Sequence, residues 1–221
     1  MLTFLINKKE YALKTIKSIP DTFKHYISNI PKGENWYYSG EIVEILYNNI
    51  NIGDTQIWMR YFNVKHPCKI RLSENKAVLG LFLVLENTLN YIIHESLKVQ
   101  FTKDNYNFFH LSFESFDLEF EKEGLYITFE ATPLNNYKGW YNRFPSISQK
   151  FPLQEFPIFK FFDSCKLIQS TELKMLNDLT QNFNDQAVSN ELKTKKLSKL
   201  LKQLLEWSTE KKSNQNNKTP V

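Results

Sequence analysis

Gln56, Trp58, Arg60 and Phe62 stand at period two in the run 55–62, and together they carry more chemistry than any other short stretch of this 221-residue sequence. On a strand they share one face. A guanidinium offers a fixed fork of N–H donors to an anion or hydroxyl, a carboxamide both donates and accepts, and indole and phenyl rings supply stacking planes. The four therefore sketch a small-molecule pocket, with Ile57, Met59 and Tyr61 falling on the opposite face. A core tryptophan beside a rim arginine would give the same spacing.

The other reactive residue types are scattered. His25, His66, His94 and His110 make no His-x-His or His-x-x-x-His pair, so no metal cluster is readable from spacing. His66 and Cys68 could share a strand face, but a structural zinc site needs two more ligands that the pattern does not supply. Asp117, Glu119, Glu121 and Glu123 alternate with Phe116, Leu118 and Phe120, which reads as the solvated face of a strand rather than a cation site. With six scattered glycines there is no Walker loop, no Gly-x-Gly-x-x-Gly and no Gly-x-Ser-x-Gly elbow. Neither catalytic residues nor a cofactor are implied.

Strands must position the Gln56–Phe62 face. Alternating apolar residues with breaks at Gly, Asn or Pro predict strands at 41–47, 55–61, 68–72, 78–85, 107–111 with 116–120, and 125–129. Asn87 follows one strand at a left-handed position and Tyr91 begins a returning one, while Gly124 turns what reads as a hairpin from Phe116 to Phe129. Eighteen Phe and eleven Tyr suit such half-buried sheets.

The grammar turns helical after Pro133. An aromatic-rich segment covers 134–148, and an apolar stretch punctuated by Pro152 and Pro157 runs to Phe162, expected to pack on the sheet. A helix begins near Ser170 as N-cap, with Leu173, Leu176, Leu179 and Phe183 at helical spacing. A last helix spans 189–210. Its stripe of Leu197, Leu200, Leu201, Leu204, Leu205 and Trp207 is wider than a coiled-coil seam, so one edge is expected to pack at home and the other to form a homodimer. Lys195, Lys196, Lys199 and Lys202 then face solvent. Residues 213–221 are polar and read as a disordered linker.

Net charge is +4, but from Glu191 onward there are eight lysines against three glutamates, leaving the first 190 residues at −1. A solvated helix face accounts for that tail. The region after Cys165 lacks glycine and reads as two packing helices, not a DNA-recognition pair. The apolar opening residues stop at Lys8, and no run approaches the roughly 18 apolar residues of a membrane span, so a cytoplasmic protein with reduced Cys68 and Cys165 is expected.

The segments GEIVEI at 40–45, AVLGLFLVLE at 77–86, YNFF at 106–109 and LYITF at 125–129, followed by Phe144-Pro145, the apolar run 156–162 and the Leu-rich 192–205, resemble the sensor half of AraC-type bacterial transcription regulators. That resemblance implies an α+β chain: a cupin-like β-barrel or jelly roll of antiparallel strands at 41–132, preceded by an N-terminal extension (1–40) packed on it. Packing and dimerisation helices follow at 133–212. It also implies a small-molecule effector, a homodimer and contact with DNA only through a C-terminal domain for which this chain has no room. The chain would then be an excised sensor half or a stand-alone relative. Asn87 stands where many members carry a turn glycine, and the metal-binding histidines of enzymatic cupins are missing, which leaves a free-standing small-molecule-binding protein or a cupin-type enzyme as the alternatives.

Overall fold

In a computed structural model, the described residues are 2–24, 33–73, 78–94, 97–111, 115–134, 138–145, 147, 158–160, 162–183, 185 and 187–215. Side chains are described for all of these except 73, 78, 94, 111, 138, 139, 141, 158, 159, 182 and 207–215. The strands are β1 (Thr3–Ile6), β2 (Lys9–Ala12), β3 (Lys14–Thr15), β4 (Glu34–Ser39), β5 (Val43–Ile52), β6 (Thr55–Val64), β7 (Cys68–Ser73) and β8 (Val78–Glu86). They continue with β9 (Leu89–His94), β10 (Leu97–Phe101), β11 (Asn105–Leu111), β12 (Ser115–Phe120), β13 (Gly124–Pro133), β14 (Ile158–Lys160) and β15 (Lys166–Leu167). Helices are α1 (Asp21–Lys24), α2 (Lys138–Arg143), α3 (Ser170–Asn182) and α4 (Asn190–Gln215).

Two antiparallel sheets make a cupin-like sandwich. One runs β10-β9-β12-β7-β1-β2; the other runs β14-β11-β8-β13-β6-β5-β4-β3, with β15 also on β11. The segment 1–40, expected as an extension packing on the barrel, contains β1 to β4, which pair into the sheets themselves. Phe116, Leu118 and Phe120 point into the sandwich, while Asp117, Glu119 and Glu121 form an outer charge ladder with Arg71, Lys69 and Lys98. The acidic row is thus an outer strand face of ion pairs, buried at Asp117 and exposed at Glu121 and Glu123.

Two turns that read as hairpins are instead corners. β8 lies in one sheet and β9 in the other, and the same is true of β12 and β13, so the chain crosses the sandwich at Asn87 and at Gly124. Local turn chemistry was read correctly: Asn87 has φ 66° and Gly124 φ 139°. What it could not say is which strand each newcomer pairs with. The corners also touch, because the Asn87 carboxamide donates to the Leu125 carbonyl at 2.6 Å.

The larger sheet is apolar on both faces and needs a cover on each. Its inner residues Ile45, Tyr47, Phe62 and Phe82 meet the other sheet, whereas Leu46, Ile57, Met59, Tyr61 and Phe129 meet the helices. Against that outer face lie Trp140, Phe144 and Ile147, then Leu176, Leu179 and Phe183, then the leucines of α4. Each fully buried leucine contributes roughly 1.5–3 kcal/mol. Polar ties fix the layers in register. Tyr106 donates to the Leu204 carbonyl at 2.9 Å, and Arg143 grips Asp54, in the β5–β6 turn, with two N–H groups at 3.0 and 2.9 Å. Buried Asn107 pairs with both backbone groups of Phe162 (3.0 and 3.1 Å), holding the segment after β14 as a strand would.

Several sequence expectations need correction here. Ser170 is the first helical residue of α3, and Gln169 occupies the N-cap position without a side-chain cap. Part of the apolar stretch before Phe162 is a strand, β14 on β11; residues 151–157 lie outside the described residues. The last helix starts close to the expected 189, with Ser189 Oγ accepting the Leu192 N–H at 3.2 Å, and it runs on to Gln215, inside the segment expected to be linker. Most consequential is its stripe. Leu197, Leu200, Leu201, Leu204 and Leu205 are all 2% exposed or less, packed within this chain, so these five leave no edge for a partner. Trp207 lies on the same helix, its side chain outside the described set.

Candidate ligand site inside the barrel

β6 places Trp58, Arg60 and Phe62 on the inner face of the larger sheet, as their period-two spacing requires, and puts Ile57, Met59 and Tyr61 against the helices. Gln56, nearest the β5–β6 turn, is half-buried and donates to Asn49 Oδ1 at 3.4 Å. It lines a cleft outside the barrel rather than the interior. Three of the four residues therefore form one constellation, and the fourth, Gln56, faces the cleft instead.

Arg60 is the chemical centre. Antiparallel register sets it opposite Tyr47 on β5 and Thr128 on β13, and its Nη1 is hydrogen-bonded to Glu130 Oε1. Both side chains are 3% exposed. The guanidinium lies over two rings, 5.2 Å from the Tyr47 centroid and 5.5 Å from that of Trp58. Trp58 in turn tilts against Trp36 at 5.5 Å, both half-buried. On the far wall Tyr91 is fully buried. Burial pushes its phenol up to about 12, against the opposing influence of the Arg60 charge.

Deeper in, the barrel is filled with rings. Phe62 meets Phe120 at 5.0 Å, Phe120 meets Tyr126 at 4.9 Å, and Tyr91 stacks on Phe116 at 5.8 Å and tilts against Phe101 at 5.0 Å. This end is a core. The chemistry is concentrated where the Arg60–Glu130 pair, Trp58, Tyr47 and Thr128 meet. A cation and an anion side by side present N–H donors and carboxylate acceptors with no net charge, which suits the hydroxyls of a neutral molecule, and the indole offers a stacking plane.

Glu130 escaped the sequence reading because the strand was ended at Phe129. A signal was present: Tyr126, Thr128 and Glu130 alternate with Ile127, Phe129 and Ala131, so the carboxylate falls on an otherwise buried face.

The remaining candidates are not brought together. His66 is exposed, with Nδ1 3.6 Å from Glu123, whereas Cys68 is buried in the sandwich. His110 is half-buried on β11, His25 lies outside the described residues, and of His94 only the backbone is described. Cys68 and Cys165 are both free thiols, pushed up to about 11 by burial. Among the described residues no three His, Cys, Asp or Glu side chains group as a metal site, and no helix is long and apolar enough to cross a membrane.

No family model and no curated protein matches the sequence. Solved structures do match. The AraC-like transcriptional activator CuxR aligns over 88% of this chain and 69% of its own, with a TM-score of 0.52 and 9% identity. ToxT from Vibrio cholerae, in its apo K231A form, gives 0.41 at 10% identity over 80% of this chain, which spans 58% of ToxT. EutQ from Clostridium difficile gives 0.33 at 13% identity over 42% of this chain and 71% of its own. At such identities the likeness is one of architecture: two antiparallel sheets and the helices after them take a fold resembling the N-terminal sensor domains of AraC-type regulators.

Proposed function

We propose that this chain is the ligand-sensing part of an AraC-type transcription regulator, binding a small neutral, hydroxyl-bearing molecule at the inner face of its barrel. The observation that carries the reading is the Arg60–Glu130 pair. An ion pair this deeply buried does little for stability, because desolvation of both charges offsets their attraction. Placed between Trp58 and Tyr47, it is well suited to recognition instead. The fold likeness to CuxR, which covers 88% of this chain, supports the same role.

Sensing requires a relay. Strand β6 carries Arg60 on one face and Met59 and Tyr61 on the other, and the latter pack in the core that holds α3 and α4. A ligand that shifts β6 therefore shifts the seat of α4, from which a DNA-binding partner domain would be governed. Self-association belongs to the proposal only through surfaces other than the five buried leucines.

A thermal-shift panel of neutral sugars and polyols tests the reading. A compound that binds only the folded state at one hundred times its Kd adds about 2.7 kcal/mol of stability. At least one member should raise the melting temperature of the wild type. A panel without such a member rejects the proposal.

A further inference from the structure

Lys193, in the first turn of α4, is 8% exposed, yet no carboxylate lies within ion-pairing distance among the described residues. Its ammonium donates to the carbonyls of Asp185 at 3.0 Å and Phe183 at 3.5 Å. Those contacts cap the end of α3 and use two of three N–H groups. They supply no counter-charge, and lysines are rarely buried so deeply unless paired.

The same residue lines a cleft of about 740 Å³ between the turn end of the β4–β5–β6 strands and the α3–α4 elbow. Lys17 also lines it, exposed and with no ion pair among the described residues. Between them the walls are carboxamides: Asn35, Asn49, Asn51 and Gln56. Asn48 donates to Asn35 Oδ1 at 2.8 Å and Gln56 to Asn49 Oδ1 at 3.4 Å, which orients these amides while leaving them further donor capacity. Glu34 is the single acidic side chain in the lining, so two lysines leave the cleft net positive. Its volume falls in the range of small-molecule sites. An anion here would also meet the N-terminal turn of a 26-residue helix, where negative charge is favoured.

We propose that this cleft is a second binding site, separate from the barrel interior, for a small anion bearing a carboxylate or phosphate. Lys193 and Lys17 hold the charge and the carboxamides take the remaining polar groups. Occupancy ties β4 to β6 directly to the first turn of α4, so the anion reads out on the same helix as the barrel ligand. The two sites differ in chemistry: the barrel pair is neutral overall and the cleft is cationic.

The test is isothermal titration of the full chain with glycerol 3-phosphate, malate, inorganic phosphate and glycerol. One or more of the three anions should bind and glycerol should not; the phosphate and malate arms decide which anionic group is preferred. Lys193→Met should weaken the bound anion by roughly tenfold or more. Because Lys193 also caps α3, a second variant guards against misfolding. Asn51→Asp adds a carboxylate at an exposed position whose side chain makes no hydrogen bond among the described residues, and it should weaken binding by a similar factor while the circular dichroism spectrum is unchanged. Absence of binding for all three anions overturns the proposal, and so does an affinity that Asn51→Asp leaves intact.

Discussion

Replacing Arg60 by methionine and Glu130 by leucine, singly and together, separates recognition from stability at the barrel's inner face. Each single change leaves a charge stranded at a site where both side chains are 3% exposed. Breaking a buried pair in that way costs about 3–5 kcal/mol. Neither survivor is solvated, because both side chains are buried and the guanidinium lies over the rings of Tyr47 and Trp58. Removing both charges removes both desolvation penalties, and the apolar replacements fill similar volume against the same rings. The double variant should therefore be about as stable as the wild type or gain up to roughly 4 kcal/mol. The coupling from the cycle is several kcal/mol, well above the few tenths expected of independent sites. Urea denaturation followed by far-ultraviolet circular dichroism gives the four stabilities by linear extrapolation. The reasoning is refuted if Arg60→Met loses less than about 1 kcal/mol, the level of an exposed pair, or if the double variant loses the sum of the two singles.

Three further outcomes follow from the fold. Asn87→Ala should cost about 1–2 kcal/mol in the same denaturation assay, because a left-handed backbone loses both its tolerant residue and the hydrogen bond to Leu125, whereas Asn87→Gly restores the backbone freedom and should lose less. Leu204→Ala should cost about 2–5 kcal/mol as a core cavity, and Leu204→Lys should unfold the chain instead of yielding a folded monomer, as sedimentation combined with circular dichroism will show. The hydrogen bond from Lys98 holds the Glu119 carboxyl below its ordinary value, outweighing the opposing effect of burial, so its contribution to stability is present above the unfolded value of about 4.3 and is lost as pH falls through the lower folded one. Glu119→Gln should accordingly flatten the fall of the urea midpoint below pH ~4.

The inner face of β6 was legible because period two needs only one strand, and Trp58, Arg60 and Phe62 fall where it puts them. The strand series was legible for the same reason. Pairing was not: a left-handed Asn87 and a Gly124 announce a turn, but a turn between sheets and a turn within one use the same residues. The fate of the leucine stripe was hidden for a different reason. A Leu-rich helix face reports that it will be buried and not by what, and the answer lay in β5, β6 and β13, whose second faces (Leu46, Ile57, Met59, Tyr61, Phe129) demand a helical cover. Glu130 needed a strand drawn one residue longer. Lys193 gave no sign at all, because its burial arises from the elbow between two helices and not from any periodicity in its neighbourhood.

The claim that the barrel recognises its ligand through the Arg60–Glu130 pair is tested most directly by calorimetric titration. The sugar or polyol that most raises the wild-type melting temperature should be titrated into the wild type and into the folded Arg60→Met, Glu130→Leu double variant. The account predicts saturable heat from the wild type and none from the double variant. Equal affinity in the two proteins would contradict it.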